Sequence, residues 1–245
     1  MLKKYYNLLR EFIAIKSIST DGDFSVDLKK ASAWLAEQCE AHGMYAQVVH
    51  RFGNPIVLAK YDVDPDLPTC LVYGHYDVVY AELAEWWHQD PFDLLIDEDK
   101  IYGRGVSDNK WQFLIHMLTI FELIKKKKLW YNVLFLVEWE EEVGSAALAE
   151  FLEEYKDTLQ ADFALISDSD IIGDTPCIDA WYRGTCNVKL ELRTAHTDVH
   201  SGAYGGAVPN AVHEASKLLS KLFDLNNRVT VPYFYYNVKI FILMY

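Results

Sequence analysis

Along the first sixteen residues the apolar positions Leu2, Tyr5, Leu8, Leu9, Phe12, Ile13 and Ile15 fall on one stripe, which predicts an amphipathic helix ending near Ser17. Asp21 and Asp23 then supply turn and helix-start chemistry for a second amphipathic helix over about 25 to 42, closed by Gly43. The pattern next shortens. Tyr45 to Val49, Ile56 to Tyr61 and Cys70 to Tyr73 read as strands separated by turn residues. Trp86-Trp87-His88-Gln89-Asp90-Pro91-Phe92 reads as a loop whose aromatic pair is used in packing, and Asp97-Glu98-Asp99-Lys100 as a hairpin turn. A helix after Ser107-Asp108 carries Phe113, Leu114, Met117, Leu118, Phe121 and Leu123 and is closed by Lys125 to Lys128, cations at the negative end of its dipole.

Asn132 to Val137 is a continuous apolar run, as expected of a strand covered on both faces. A helix over about 145 to 156 and a strand from Asp162 to Ser167 follow, and this alternation indicates an α/β domain. From about Gly184 the pattern changes: Thr185 to Arg193 alternates as a half-buried strand, a Gly-rich loop follows, and a helix runs from Pro209 to about Phe223. The division expected is therefore an α/β domain over 1 to 183 and the opening of an α+β domain over 184 to 245. Lys239 to Tyr245 reads as a final apolar strand.

Half of the 245 residues are apolar, ample for a core, and the formal charge of −13 is spread through the chain. Such a surface disfavours nucleic acid and anionic membranes and favours cations, metal ions included. Cys39, Cys70, Cys177 and Cys186 are scattered without C-x-x-C spacing, so buried thiols in a reducing cytosol are expected. Arg10, Glu11 and Lys16 interrupt the N-terminal apolar residues, no small-residue cleavage site follows, and no apolar run is long enough to span a bilayer. The expectation is a cytoplasmic protein.

In open α/β sheets, sites collect beyond the carboxyl ends of the strands. His75 follows one strand, Asp108 opens a helix, Glu141-Glu142 follow the Asn132 strand, and Asp168 follows Ala164-Leu165-Ile166. Residues two apart on an extended chain share a face, so Asp77 stands beside His75, where a carboxylate fixes the tautomer and angle of a metal-binding imidazole. Three carboxylates and an imidazole suit zinc and also accept manganese or cobalt. Of the neighbours Glu141 and Glu142, one can bind metal while the other takes a proton from the activated water.

Gly74-His75-Tyr76-Asp77-Val78-Val79, Tyr102-Gly103-Arg104-Gly105-Val106-Ser107-Asp108-Asn109-Lys110, Glu140-Glu141-Glu142-Val143-Gly144-Ser145, Ile166-Ser167-Asp168 and Val199-His200-Ser201-Gly202-Ala203-Tyr204-Gly205-Gly206 occur in one order. This series resembles the di-zinc metallopeptidase family of carnosinase-like dipeptidases, glutamate carboxypeptidase, succinyl-diaminopimelate desuccinylase and acetylornithine deacetylase, most of all its carnosinase-like branch. The resemblance implies a zinc-peptidase-like mixed sheet flanked by helices, with the beginning of an α+β lid or dimerisation domain. It implies two divalent ions, zinc in the first place: His75 and Asp168 on one, Asp108 bridging, Glu142 on the other. Glu141 is then the general base, Asp77 orients His75, and Asp108-Asn109 is a cis peptide. His200 lies on the lid and, in a homodimer, helps bind the substrate carbonyl in the partner's site. The implied substrate is a small peptide or N-acyl amino acid with a free carboxylate, cleaved at its amide bond.

The family pattern also has a segment returning from the lid with a further histidine ligand. Here His213 is the last histidine and the chain stops at Tyr245, so a C-terminally truncated chain with exposed apolar surface and open strand edges is expected. Trp111 stands where the family has Gly, and a ring there is expected to narrow the site. An N-acyl-amino-acid deacylase of the same family and an inactive remnant are the alternatives.

Overall fold

The computed structural model describes residues 2–169, 173, 175, 177–179 and 184–238. The chain divides into two compact units, Met1–Ile178 and Asp179–Tyr245. The strand expected over Lys239 to Tyr245 lies outside the described residues.

In the first unit, α1 (Leu2–Ala14) and α2 (Ser25–Ala41) precede β1 (Tyr45–Val49), β2 (Ile56–Tyr61) and β3 (Thr69–His75). A hairpin of β4 (Leu95–Asp97) and β5 (Lys100–Tyr102) leads to a turn over Val106–Lys110 and α3 (Trp111–Lys125). Then come β6 (Asn132–Glu138), α4 (Leu148–Tyr155) and β7 (Phe163–Ile166). The sheet order is β1-β2-β6-β3-β7; β3 runs parallel to β6 and β7, while β2 is antiparallel to β1 and β6. The sheet is thus mixed and flanked by helices.

Side-chain alternation sends each strand's residues to two cores. Val57, Ala59, Val133, Phe135 and Val137 pack with Leu9, Phe12 and Ile13 of α1, Leu28 and Leu35 of α2, and Phe113, Leu114 and Met117 of α3. Ile56, Leu58 and Leu136 pack on the other face with Val49, Phe52 and Phe151 of α4. Every residue of β6 is buried, which explains its unbroken apolar run. β7 differs: its four residues are all exposed, and among the described residues it pairs with β3 alone.

Lys110 ties α1 to the turn after β5. Its Nζ is wholly buried and donates to the carbonyls of Phe12 and Ile15 at 3.0 and 2.9 Å, serving the open carbonyl end of the helix. Beyond α1, Ser17 and Ile18 lie along Tyr76 to Val78, with Val78 N donating to Ser17 O at 2.9 Å.

Several expectations are corrected. Trp86 is 96% exposed, so it adds little to packing, whereas Trp87 lies under the Arg104 guanidinium at 5.5 Å. Cys39 and Cys70 are buried, but Cys177 and Cys186 are exposed. Thr185 to Arg193 forms no strand: an alternating segment is held only by a neighbouring ladder, and among the described residues none pairs with it. The second unit contains α5 (Ser201–Tyr204), α6 (Ala211–Leu219) and a bridge between Phe223 and Val229. Asn210 caps α6, its Oδ1 accepting from Val212 N and His213 N, so the helix starts two residues after Pro209 and is shorter than its apolar pattern. Among the described residues no helix is long and apolar enough to cross a membrane.

Candidate active site

Parallel pairing brings three strand ends to one edge: the register sets His75 beside Glu138 and Tyr73 beside Ile166. His75 is the last residue of β3 rather than the first residue beyond it. Its imidazole is inaccessible to solvent, with Nε2 2.9 Å from Asp108 Oδ1 and 3.5 Å from Asp168 Oδ2. On the other side Nδ1 is 3.2 Å from Asp77 Oδ1. Asp77, also fully buried, takes Ser19 Oγ at 2.5 Å and the backbone amides of Glu141 and Glu142 at 3.3 and 3.2 Å. One carboxylate therefore sets both the His75 ring and the Glu141-Glu142 turn.

Asn109 brackets the same edge. Its Oδ1 accepts from His75 N at 3.3 Å and its Nδ2 donates to Ser167 O at 2.9 Å, with a cis peptide between Asp108 and Asn109. Gly74 makes room for it: a Cβ there would stand 2.7 Å from Asn109 Oδ1 and 2.6 Å from the Phe113 ring. The turn itself needs Gly105 in the left-handed region, φ +80°. Ser167 is held a second time, its Oγ 2.8 Å from His116 Nε2.

The electrostatics call for a cation. Burial alone would lower the pKa of His75, but its bonds to Asp108, Asp168 and Asp77 outweigh that and push it up to about 12. The bond to His75 holds the Asp108 carboxyl below the usual range. Burial, then the Asp108 charge, pushes Glu142 up to about 7; burial raises Glu141 as well. Burial lowers His116, so that imidazole is neutral at physiological pH.

The donor set fits a divalent ion. One atom each from His75, Asp108 and Asp168 lie within 4.8 Å of one another. Around a tetrahedral ion with bonds of about 2.0–2.2 Å, neighbouring ligand atoms stand roughly 3.3–3.6 Å apart; His75 Nε2 lies 2.9 Å from Asp108 Oδ1 and 3.5 Å from Asp168 Oδ2. Glu142 is outside this three-donor group, on the adjoining turn. His200 belongs to the second unit, where it is exposed and its Nδ1 accepts from Gly202 N at 3.0 Å as the cap of α5. The Trp111 ring packs edge-on against Tyr5, 5.3 Å between centroids, in the wall of an apolar cavity of about 560 Å³ between α1 and α3. Its bulk is spent there in packing, contrary to the narrowing expected.

Sequence reading did not assign roles to Ser19, Asn109, His116 or Ser167. Asn109 and Ser167 stand next to singled-out residues and were within reach; Ser19 and His116 carry no local signal, because only folding brings them to Asp77 and Ser167.

An imidazole and carboxylates gathered at the carboxyl ends of parallel strands are donor chemistry that can hold a divalent ion on an α/β fold. The chain belongs to peptidase family M20/M25/M40, whose profile it matches over residues 71–232. It is 30% identical to a probable di- and tripeptidase of Saccharomyces cerevisiae over 95% of its length, covering 28% of that protein. It is 34% identical to the Beta-Ala-His dipeptidase of Homo sapiens over 74% of its length, covering 36% of the relative. Among solved structures it resembles human carnosine dipeptidase 1 (27% identity, TM-score 0.78) over 98% of its length and 54% of that chain. An M20 family metallo-carboxypeptidase from Sulfolobus solfataricus aligns with 27% identity and TM-score 0.80, again over 98% and 54%. The chain thus spans about half the length of these structures and less of the curated relatives.

Proposed function

We propose that this chain carries the N-terminal part of a metal-dependent hydrolase that cleaves the peptide or amide bond of small substrates bearing a free carboxylate, of dipeptidase or carboxypeptidase type. The observation that carries this reading is the convergence of one donor atom each from His75, Asp108 and Asp168 within 4.8 Å, with Asp77 behind the imidazole. In the full reading these residues would hold two zinc ions, His75 and Asp168 serving one, Glu142 the other and Asp108 both. Bound there, a divalent ion supplies a Lewis acid for the carbonyl and a lower pKa for water.

The chain's own groups do the rest. Asp77 keeps Nε2 of His75 directed at the carboxylates. Glu141, raised by burial, takes the proton of the attacking water and hands it to the leaving amine. Residues 1–183 are read as catalytic domain and 184–245 as the start of a lid through which two copies pair, His200 reaching the substrate carbonyl of the other. The cytoplasm is the compartment proposed.

Elemental analysis of the purified chain, with hydrolysis of a panel of dipeptides and N-acyl amino acids assayed after adding zinc or manganese, tests the reading. Bound divalent metal with turnover supports it, and the preferred half of the panel separates dipeptidase from deacylase. Metal-free protein that neither takes up added zinc nor turns over would sink it.

A further inference from the structure

Three segments carry the clustered donors, and they are supported unequally. His75 ends a strand paired on both sides, and Asp108 is followed by Asn109 and Lys110, both buried. Asp168 lies two residues beyond β7, a four-residue edge strand exposed along its whole length. With few buried contacts, such a strand end is the softest of the three. Backbone pairing does not set the Asp168 carboxylate to the tolerance that ligation demands.

Side-chain bonds make up for it. Ser167, next to Asp168, is gripped at two atoms: its carbonyl by Asn109 Nδ2 at 2.9 Å, its Oγ by His116 Nε2 at 2.8 Å. His116 stands on α3 between the core positions Phe113, Leu114 and Met117, which pack on the sheet and fix the helix. Its ring is half-buried beside these apolar positions, where an imidazole without a partner would be costly. Ser167 is the partner the structure provides.

We propose that His116 and Ser167 form a positioning latch that ties the soft end of β7 to the rigid α3 and so sets the Asp168 carboxylate 3.5 Å from His75 Nε2. The latch rests on the metal reading above, and neither residue touches the ion. Outer partners of this kind typically contribute about 10–100-fold to metal affinity.

The test compares Ser167→Ala, His116→Ala, the double variant and His116→Gln with the unsubstituted chain. Zinc affinity is read by competition with a chromogenic chelator, and hydrogen exchange of the 163–169 segment is read on metal-free protein. Each alanine variant is expected to bind zinc roughly 10–100-fold more weakly and to exchange faster at 167–169. The double variant should be no worse than the weaker single, since one bond is broken either way. His116→Gln, whose amide nitrogen reaches the place of Nε2, should restore most of the affinity. A purely structural histidine would lower the melting temperature and leave zinc affinity and local exchange alone; that result overturns the latch, as do additive losses in the double variant. Should the unsubstituted chain bind no zinc while the exchange pattern appears as described, the latch is upheld and the metal reading falls.

Discussion

Asp77 stands directly behind His75, its Oδ1 3.2 Å from Nδ1, and the same carboxylate receives the amides of Glu141 and Glu142. The imidazole and the acidic turn are therefore set by a single buried group. Asn has nearly the same shape but turns one oxygen into an N–H₂ that cannot accept a bond. Asp77→Asn is expected to lower zinc affinity about 10–100-fold while the circular dichroism spectrum stays unchanged. Calorimetric titration checks this; undiminished affinity in a folded variant would show that His75 is oriented without Asp77.

Metal uptake should be coupled to proton release. In the metal-free chain His75 keeps its proton to about pH 12, and Glu142 keeps its own to about pH 7. A cation must displace the His75 proton at every pH from 6 to 8, so apparent affinity is expected to rise roughly tenfold per pH unit. Glu142 adds to the slope only below about pH 7. Titrations in buffers of different ionisation enthalpy count the protons, and a pH-independent affinity would contradict the assignment.

Lys110 should make the metal-free fold pH-sensitive. Burial lowers its pKa from 10.5 to about 7, a gap on the order of 5 kcal/mol. Below about pH 7 both folded and unfolded states hold the proton, and the full cost of the buried charge is borne. Between about 7 and 10.5 Lys110 holds its proton in the unfolded chain and not in the folded one, so its contribution to stability rises with pH across that window. The His75 proton, held to about pH 12, pulls the other way over the same window, so the Lys110 effect is read as a difference: from pH 7 to 9 the urea midpoint of the unsubstituted chain should rise relative to that of Lys110→Met. Equal slopes in the two proteins would refute the account.

Gly74→Ala is expected to destabilise the fold by about 1–3 kcal/mol, because its methyl would stand 2.6 Å from the Phe113 ring and 2.7 Å from Asn109 Oδ1. If Asn109 yields rather than Phe113, zinc affinity falls with stability. Thermal melts and chelator competition on the same sample separate the two, and a melting temperature equal to that of the unsubstituted chain would show that the approach is not tight.

Much of the first unit was legible before folding. The stripe through Leu9, Phe12 and Ile13 and the unbroken run of β6 reflect burial, which leaves its period in the sequence. His75, Asp108 and Asp168 were legible as candidates because each stands where an apolar run stops or a helix begins. The strand expected at Thr185 to Arg193 shows the limit of that logic: alternation records a preference, and a ladder needs a neighbour. Trp86 shows the same for packing.

By itself the sequence determined which segments become helices and strands in the α/β unit and which residue types stand at their ends, since periodicity and local chemistry act over a few neighbours. Only the tertiary structure decided what meets across long separations. The folded chain brings one donor atom each from His75, Asp108 and Asp168 within 4.8 Å of one another. It also turns Ser19 to Asp77, lays the Lys110 ammonium on the end of α1, and sets His116 against Ser167. The last three contacts join residues 51 to 95 positions apart, separations over which no local pattern carries information.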